Sequence, residues 1–336
     1  MNIKMTQYSP EMHGALLEFL KGVYPSRRSE YLNWWLSNMD DAGSECWNKC
    51  WMTLDDGKIV GCIIVNPAHL LVKGKVCNIY FSANTILSEL YRGKGLSKKM
   101  YATSYADYSN WIGSGFTAAG WKIQPRYVKD FYPIHPVNVY VSVTRYVWTT
   151  LIQKISKKAQ LPHKRLFPNQ LRINKKEELK KIENLEELNI PEGGKWTGDA
   201  SELVRDEQFL RKRFCDIYCS DNYHFYKYIE NGISIGYMVF REIKYKEVPM
   251  LSIVDYRFIN RAYENRIFKA ATKMARSCKL GFVMCLSSRK YKLQLSPLAI
   301  SLKKLKSATG ISPGINPLTD LLITSADSDL DFVYYK

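Results

Sequence analysis

Apolar residues near the start of the chain recur three to four positions apart, the spacing of one face of a helix. They are Met12, Leu16, Phe19, Leu20 and Val23. Ser9 can cap this helix, and Pro10 fits its first turn. Residues 29–38 predict a second helix, whose packing groups are Tyr31, Trp34 and Trp35. We therefore expect two helices at the start of the chain.

Glycine turns and apolar runs predict antiparallel strands after these helices. Asp56 and Gly57 precede an apolar run at residues 59–65, and a second turn at Gly74 leads into residues 76–81. An Asp-Gly pair beside an apolar run is a typical hairpin signal.

Residues 84–112 predict a strand, a glycine-containing loop and an amphipathic helix in that order. The helix is indicated by the spacing of Leu96, Met100, Tyr101, Tyr105 and Tyr108. Residues 137–143 alternate as a further strand, which we expect to close the first sheet.

A basic segment separates the two halves of the chain. Its ten Lys and Arg residues are Lys154, Lys157, Lys158, Lys164, Arg165, Arg172, Lys175, Lys176, Lys180 and Lys181. We interpret the segment as an exposed connector with short helices, one of them over residues 175–188.

The pattern of the first half recurs after the connector. Residues 56–65 align with residues 231–240 at a constant offset, and a charged, aromatic helix precedes each stretch. The 336 residues also suggest about two domains of typical size. We predict an α/β chain of mixed α+β type with a domain at residues 1–150, a basic connector at 151–190 and a related domain at 191–336.

Composition and charge narrow the classes of partner. Hydrophobic residues make up 46% of the chain, which excludes disorder as its main state, and the net charge of +17 favours anionic partners. No signal-peptide run and no stretch of about 20 apolar residues is found, so we expect a cytoplasmic protein with reduced thiols. The CxxxC pairs Cys46/Cys50 and Cys215/Cys219 do not match the usual knuckle spacing of a zinc site, and no metal is expected.

The loop at residues 92–97 carries the clearest chemical signal. A glycine loop before a helix exposes backbone N–H groups and the positive end of the helix dipole, which together hold phosphate. Gly93 and Gly95 allow close approach of the backbone. The surrounding cations are Arg92, Lys94, Lys98 and Lys99. A Walker loop and a dinucleotide fingerprint are both absent, so the motif indicates another pyrophosphate carrier.

The stretch Arg92-Gly-Lys-Gly-Leu-Ser97 resembles the acetyl-coenzyme A signature of the GNAT superfamily of N-acetyltransferases. The resemblance covers residues 1–148, and the second half resembles a GNAT-like repeat without the signature, because residues 254–266 contain no glycine. It implies two GNAT-like domains, each a mostly antiparallel twisted sheet flanked by helices. Ser97 stands where the family usually has Gly or Ala.

The resemblance also implies roles for individual residues. The backbone of Gly93, Lys94, Gly95, Leu96 and Ser97, with Arg92, would bind the pyrophosphate of acetyl-coenzyme A (acetyl-CoA), and Leu87 and Ser88 would line its pantetheine arm. The segment from Tyr127 to Tyr132 is similar to the family's tyrosine motif, so Tyr127 is the first candidate for the catalytic acid and Tyr132 the second. From the residues themselves, His135 and Glu89 are the candidate bases, and a base acting through water is the alternative.

We therefore expect an N-acyltransferase that moves an acetyl group from acetyl-CoA to a small-molecule amine acceptor. Chain length and the segment Tyr31-Leu-Asn-Trp34 resemble those of family members in surface-polysaccharide synthesis, which implies an anionic amino sugar or a nucleotide-linked amino sugar as acceptor. The alternative is a non-catalytic protein that binds nucleic acid through its connector, but Phe167 is the only aromatic residue there, which disfavours it. A peripheral membrane contact through the same stretch is a third interpretation. The sequence leaves the oligomeric state open.

Overall fold

In the computed structural model the chain is described over residues 1–25, 27, 29, 32, 36, 50–72, 74–156, 166–197, 201–215, 223–245, 248–289, 300–312, 318 and 320–327. The strands are β1 (Ile3–Gln7), β2 (Trp51–Asp55), β3 (Lys58–Val72), β4 (Lys75–Leu87), β5 (Trp111–Ser114), β6 (Tyr132–Val143), β7 (Gln170–Arg172), β8 (Glu177–Lys181), β9 (Glu202–Leu203), β10 (His224–Glu230), β11 (Ile233–Tyr245), β12 (Val248–Phe258), β13 (Phe282–Ser287) and β14 (Ile300–Thr309). The helices are α1 (His13–Val23), α2 (Leu96–Ala106), α3 (Ala118–Ile123), α4 (Val147–Ser156), α5 (Glu207–Phe214) and α6 (Ile267–Ser277).

Backbone contacts divide the chain into two units. Unit 1 contains Met1–Leu70, Val76–Pro136 and Leu305–Thr319, and unit 2 contains Leu71–Lys75, Val137–Lys304 and Asp320–Lys336. In unit 1 the strand order is β1-β2-β3-β4-β5-β14, and in unit 2 it is β6-β13-β12-β11-β10-β8-β7. Only β4 with β5 and β12 with β13 are parallel neighbours among the strand pairs with a described register. The fold is thus mixed α/β, with a mostly antiparallel sheet flanked by helices.

Helices cover the sheets with their apolar faces. The first predicted helix is confirmed, because α1 follows a short turn at Pro10–Met12 and buries Leu16 and Leu20. In unit 2, α6 buries one side against the sheet. Its buried residues are Ile267, Phe268, Ala270, Ala271, Met274 and Ala275. None of the described helices is both long and apolar enough to cross a membrane.

The predicted turn at Asp56-Gly57 and its aligned counterpart at Asn231-Gly232 have the same backbone geometry. Asp56 and Gly57 have φ of 48° and 82°, and Asn231 and Gly232 have φ of 50° and 82°. Positive φ at both central residues is the mark of a type I′ turn, which favours Gly at the second position. The aligned stretches therefore fold alike, as the end of β2 with β3 and the end of β10 with β11.

A second pair of glycines at the same sequence offset makes equivalent contacts. A Cβ on Gly61 would lie 2.9 Å from the carbonyl oxygen of Ile86 in β4. A Cβ on Gly236 would lie 2.2 Å from the carbonyl oxygen of Arg257 in β12. In both hairpins, glycine lets the following strand approach closely.

The strand at residues 137–143 was expected to close the first sheet, and this expectation is wrong. Residues 138–143 of β6 pair with β13, and from Val137 onward the chain lies in unit 2. The neighbour of β5 is β14, through Ser307, Ala308 and Thr309. The alternating pattern of a strand indicates that the strand joins a sheet, but it does not indicate which sheet. For this reason the predicted domain boundary at residue 150 differs from the boundaries of the compact units.

Part of the predicted connector is built into unit 2. The helix expected over residues 175–188 is instead the strand β8 followed by a short 3-10 turn at Leu185–Leu188. Strand β8 pairs with β10 on one side and β7 on the other, and Leu179 is fully buried. A strand rich in Lys and Glu has a helix-like composition, and here pairing within the sheet overrides that propensity.

Some predictions fall outside the described residues. These are Tyr31, Trp34 and Trp35 of the second helix, Cys46 and Cys219, and the basic residues Lys157, Lys158, Lys164 and Arg165. Among the described cysteines, Cys50, Cys62, Cys278 and Cys285 are buried and lie in no disulfide.

Candidate functional site

Strands β4 and β5 of unit 1 run side by side for only a short distance. Their register pairs residues 80–82 of β4 with residues 111–113 of β5, whereas β4 continues to Leu87. The Ser88 N–H donates to the Val60 carbonyl oxygen on the β3 side at 2.9 Å. The Tyr80 N–H instead donates to the Asn110 carbonyl oxygen on the β5 side at 2.9 Å, so the alternation of backbone groups along β4 changes between residues 80 and 88. Beyond residue 82, this side of β4 forms a gap in which no described residue of β5 pairs with it.

The predicted glycine loop lies directly after this gap. A short turn at Glu89–Tyr91 ends β4, and helix α2 begins at Leu96 with Gly95 as its N-cap. Gly93 and Gly95 both have φ of 77°, a left-handed conformation, and no atom lies within 4 Å of an added Cβ at either position. The strand, loop and helix expected over residues 84–112 are confirmed.

The loop leaves several backbone donors unused. Among the described residues none accepts a hydrogen bond from the N–H groups of residues 93–97, whereas the next N–H, that of Lys98, donates to the Gly95 carbonyl oxygen at 3.1 Å. These groups surround the positive end of the α2 dipole. The loop therefore offers an open set of donors to an anion.

Arg92 and Tyr91, at the loop entrance, are held in place by hydrogen bonds. Arg92 Nε donates to the Leu87 carbonyl oxygen at 3.2 Å, and Arg92 Nη1 lies 3.1 Å from Glu89 Oε1. Tyr91 Oη donates to Asp55 Oδ2 at 2.8 Å, and this hydrogen bond lowers the pKa of Asp55. Both partners of the Arg92–Glu89 pair are exposed, so the pair adds little stability.

The cations predicted around the loop divide into two groups. The Lys94 ammonium lies 5.3 Å from the Tyr91 ring centre, and the Lys98 ammonium lies 5.3 Å from the ring centre of Tyr127. Lys99 instead donates to the Ile3 carbonyl oxygen at 3.5 Å. Lys94 and Lys98 thus stay beside the loop, whereas Lys99 is committed to β1.

The four predicted catalytic residues are not all brought together. Tyr127 is half-buried and reaches the first turn of α2 through Lys98, and Glu89 lies exposed at the loop entrance. Tyr132 donates to Asp130 at 3.4 Å, and His135 is exposed three residues further along β6. An odd separation along a strand places Tyr132 and His135 on opposite faces.

An aromatic cluster that the sequence reasoning missed flanks the gap. Phe116, Trp121 and Phe131 lie in mutual contact, with ring centres 5.3 to 6.0 Å apart, and Trp111 joins them through Phe131 at 5.9 Å. A Cβ on Gly113 would lie 2.7 Å from Phe116 Cζ, so the glycine admits this ring beside the last paired residue of β5. The sequence signal for this cluster is Gly113, a glycine that lies between the two aromatic residues Trp111 and Phe116.

The corresponding parallel pair in unit 2 has its gap filled by the chain itself. Ser287 at the end of β13 bridges to Thr324, and Ser288 Oγ donates to the Leu321 carbonyl oxygen at 2.6 Å. Thr324 Oγ1 donates to Asp255 Oδ1 of β12 at 2.7 Å. Residues 321–327 thus lie between β12 and β13, whereas no residue that the structure describes pairs with β4 on its β5 side beyond residue 82.

Buried charges hold this closing segment. Arg205 contacts both Asp255, at 2.8 Å, and Asp327, and all three side chains are almost fully buried. Burial alone would raise the pKa of Asp255. The charges of Arg205 and Arg257 and the hydrogen bonds from Arg205 and Tyr237 lower the pKa by more than burial raises it. The pKa of Asp255 therefore lies below its ordinary value. Burial and the Asp255 charge raise the pKa of Tyr237.

The turn before α6 also differs from the glycine loop of unit 1. It runs over Arg261–Arg266 without glycine, and Asn260 Oδ1 accepts the Ala262 N–H at 2.9 Å. Glu264 is buried and lies 3.1 Å from Arg289 Nε. This turn offers neither the left-handed glycines nor the open donors of residues 93–97.

Among the residues that the structure describes, no three His, Cys, Asp or Glu side chains are grouped to hold a metal ion.

Comparison with known proteins gives no match to a family model and none to a curated protein. Solved structures do match. A GCN5-related N-acetyltransferase from Anabaena variabilis has a TM-score of 0.59 and 15% identity, over 92% of this chain and 72% of that one. A probable N-acyltransferase from Enterococcus faecalis has a TM-score of 0.58 and 13% identity, over 91% of this chain and 72% of that one.

An N-myristoyltransferase from Saccharomyces cerevisiae with bound myristoyl-CoA has a TM-score of 0.58 and 12% identity, over 97% of this chain and 83% of that one. At such identities the likeness concerns the fold. The chain therefore has the fold shared by the GCN5-related N-acetyltransferases and the N-myristoyltransferases, as the loop motif had implied.

Proposed function

We propose that the chain is an acyl-CoA-dependent N-acyltransferase whose unit 1 binds the acyl donor. The observation that carries this proposal is the open glycine loop, with its unused N–H groups, placed between the β4–β5 gap and the N-terminus of α2. A pyrophosphate needs several donors and positive charge at one point. Lys94 and Lys98 supply that charge.

The gap gives the rest of the donor a place. Pantetheine carries amide groups, and the part of β4 beyond its last pair with β5 can bind them as a further strand would. Phe116 and Trp121 border the same opening and provide apolar contact for the acyl end. Acetyl is the acyl group implied by the loop motif, and the size of the acyl group is part of the proposal.

The reaction would be direct attack of a neutral amine on the thioester carbonyl carbon. The C–N bond forms, an oxyanion develops on the carbonyl oxygen, and the C–S bond then breaks, so the sulfur leaves as a thiolate that needs a proton. We assign that proton to the hydroxyl of Tyr127, because its ring lies beside the first turn of the loop helix, with the Lys98 ammonium 5.3 Å from the ring centre. Tyr132 is the second candidate.

The base that takes the amine proton has two candidates among the side chains, Glu89 and His135. Glu89 adjoins the loop and is paired with Arg92, whereas His135 is exposed on β6. Water can also carry this proton to solvent. We keep a primary amine of an amino sugar, free or nucleotide-linked, as the proposed acceptor, in keeping with the chain's net charge of +17.

Titration calorimetry with acetyl-CoA tests the donor site. The double variant Gly93→Val, Gly95→Val should weaken binding by more than about tenfold, since side chains would block approach to the backbone donors. Gly232→Val is the matched control, because Gly232 has φ of 82° and equally open surroundings but lies in unit 2. Equal affinity of the double variant and the control for acetyl-CoA would refute the assignment of the loop.

Thiol release tests the chemistry, with acetyl-, propionyl- and longer acyl-CoA supplied to a panel of amines that includes amino sugars. Tyr127→Phe should lower kcat by about 10²- to 10⁴-fold and leave acetyl-CoA affinity unchanged. Tyr132→Phe is the comparison variant. If Tyr132→Phe lowers kcat and Tyr127→Phe does not, the two roles are reversed.

A further inference from the structure

Helix α4 in unit 2 presents a large apolar face to solvent. Trp148 is 72% exposed and Ile152 is 63% exposed, and their spacing of four residues places them on one side of the helix. The opposite side packs tightly, since a Cβ on Gly281 would lie 2.5 Å from Thr150 Oγ1 and 2.9 Å from Val147 Cα. A surface helix normally buries its apolar side. In α4 one side packs against Gly281, and the other side exposes Trp148 and Ile152 to solvent.

A third apolar side chain emerges at the same end of unit 2. Leu166 is 88% exposed. Its carbonyl oxygen lies 3.9 Å from the Sγ of Cys278, the residue that caps α6 three positions before Gly281. Leu166 and the docked side of α4 therefore both adjoin residues 278–281. Exposed apolar side chains on neighbouring elements are a feature of binding surfaces.

In the sequence, the two segments that contain these elements have no acidic residue. Residues 131–176 include nine Lys or Arg and no Asp or Glu, and residues 265–319 include eleven Lys or Arg and no Asp or Glu. Of these cations, Arg145, Arg276 and Lys279 are exposed in or beside the elements just described. We name the residues Arg145, Trp148, Ile152, Leu166, Arg276 and Lys279 the Trp148 surface.

We propose that the Trp148 surface docks on an anionic lipid bilayer. A helix that lies in a membrane interface presents Trp and aliphatic side chains to the acyl chains and cations to the headgroups. Each Lys or Arg near an anionic leaflet is attracted to it, and the absence of carboxylates in both segments removes the opposing repulsion. The proposal is independent of acyl transfer, because it concerns residues of unit 2 alone.

Lipid fits the surface better than nucleic acid does. A nucleic-acid surface pairs cations with aromatic rings on which bases stack. Ile152 and Leu166 are aliphatic and cannot serve as stacking platforms, whereas both can enter a bilayer interface. An oligonucleotide is therefore the competitor that the experiment must include.

Flotation of the full chain with vesicles, without any CoA compound, tests the proposal. The chain should float with phosphatidylcholine vesicles that contain about 30% phosphatidylserine and not with phosphatidylcholine alone, and less of it should float as salt rises above about 0.1 M. The double variant Trp148→Ala, Ile152→Ala should partition at least about tenfold more weakly. Arg276→Glu should also weaken flotation. Ile233→Ala, at an exposed isoleucine that begins β11, should float like wild type.

Three results would overturn the proposal. The first is no dependence of flotation on phosphatidylserine, and the second is equal flotation of wild type and the Trp148→Ala, Ile152→Ala variant. The third is tighter binding of a single-stranded oligonucleotide, measured by fluorescence anisotropy, that the same double variant abolishes. Since the substituted side chains are exposed, circular dichroism of all variants should match that of wild type.

Discussion

Asp327→Ala removes the carboxylate that holds the closing segment of unit 2. Asp327 is 2% exposed and contacts Arg205, and it accepts hydrogen bonds from the Thr324 N–H at 2.7 Å and the Thr324 Oγ1 at 3.2 Å. After the substitution, buried Arg205 keeps Asp255 at 2.8 Å as its remaining carboxylate. Removing one partner of a buried ion pair costs about 3–5 kcal/mol, and the Thr324 N–H also loses its acceptor. We expect a loss of unfolding free energy in that range.

Urea unfolding followed by tryptophan fluorescence measures this loss. Trp196 is a reporter within the network, because its Nε1 donates to the Arg205 carbonyl oxygen at 3.1 Å. Asp320→Ala is the matched control at the other end of the segment, since Asp320 is 65% exposed and pairs with Arg261 at 3.3 Å. This control should change the free energy of unfolding by no more than about 0.5 kcal/mol. The reasoning fails if Asp327→Ala costs less than about 1 kcal/mol or no more than the control.

Three further predictions concern single side chains. Gly236→Ala should lower the free energy of unfolding by more than about 3 kcal/mol, because its Cβ would meet the backbone of the facing strand. Gly232→Ala should lower it by about 1–2 kcal/mol, because Gly232 has a left-handed φ. Urea unfolding of the two variants measures both values. Because the folded pKa of Asp255 lies below its ordinary value of 3.8, its contribution to stability is present above that value and lost as pH falls below it, which acid unfolding of wild type and Asp255→Asn should show. Tyr91→Phe should raise the pKa of Asp55, measured by NMR titration, and an unchanged value would contradict the hydrogen bond.

Local patterns predicted the elements that depend on their own residues. The left-handed turns at Asp56-Gly57 and Asn231-Gly232 need residues that tolerate positive φ, and both stretches fold as expected. The loop at Gly93 and Gly95 was predicted because glycines before a helix let a ligand approach the backbone closely. A turn's chemistry lies in two or three adjacent residues, so the sequence states it directly.

Pairing between distant strands could not be predicted in this way. Strand β8 has alternating buried residues, such as Leu179, within a Lys- and Glu-rich stretch that suggests a helix. The neighbour of β5 comes from residues 307–309, and nothing local to either strand specifies the other. The closing of the unit 2 gap depends on Asp327, which follows Asp255 by a long stretch of chain. Partners so far apart are selected by the packed fold.

Unit 1 draws its last strand from far along the chain, and this sets an order of events during synthesis. Residues up to Pro136 leave the ribosome before those from Leu305 onward, with about 170 residues between them. At about 5–20 residues per second, the open edge of β5 waits roughly ten to thirty seconds for its neighbour. During that time Trp111 and Thr309 have not met, and the edge can pair with another chain. The first unit therefore keeps an unpaired sheet edge until residues 305–309 have been made.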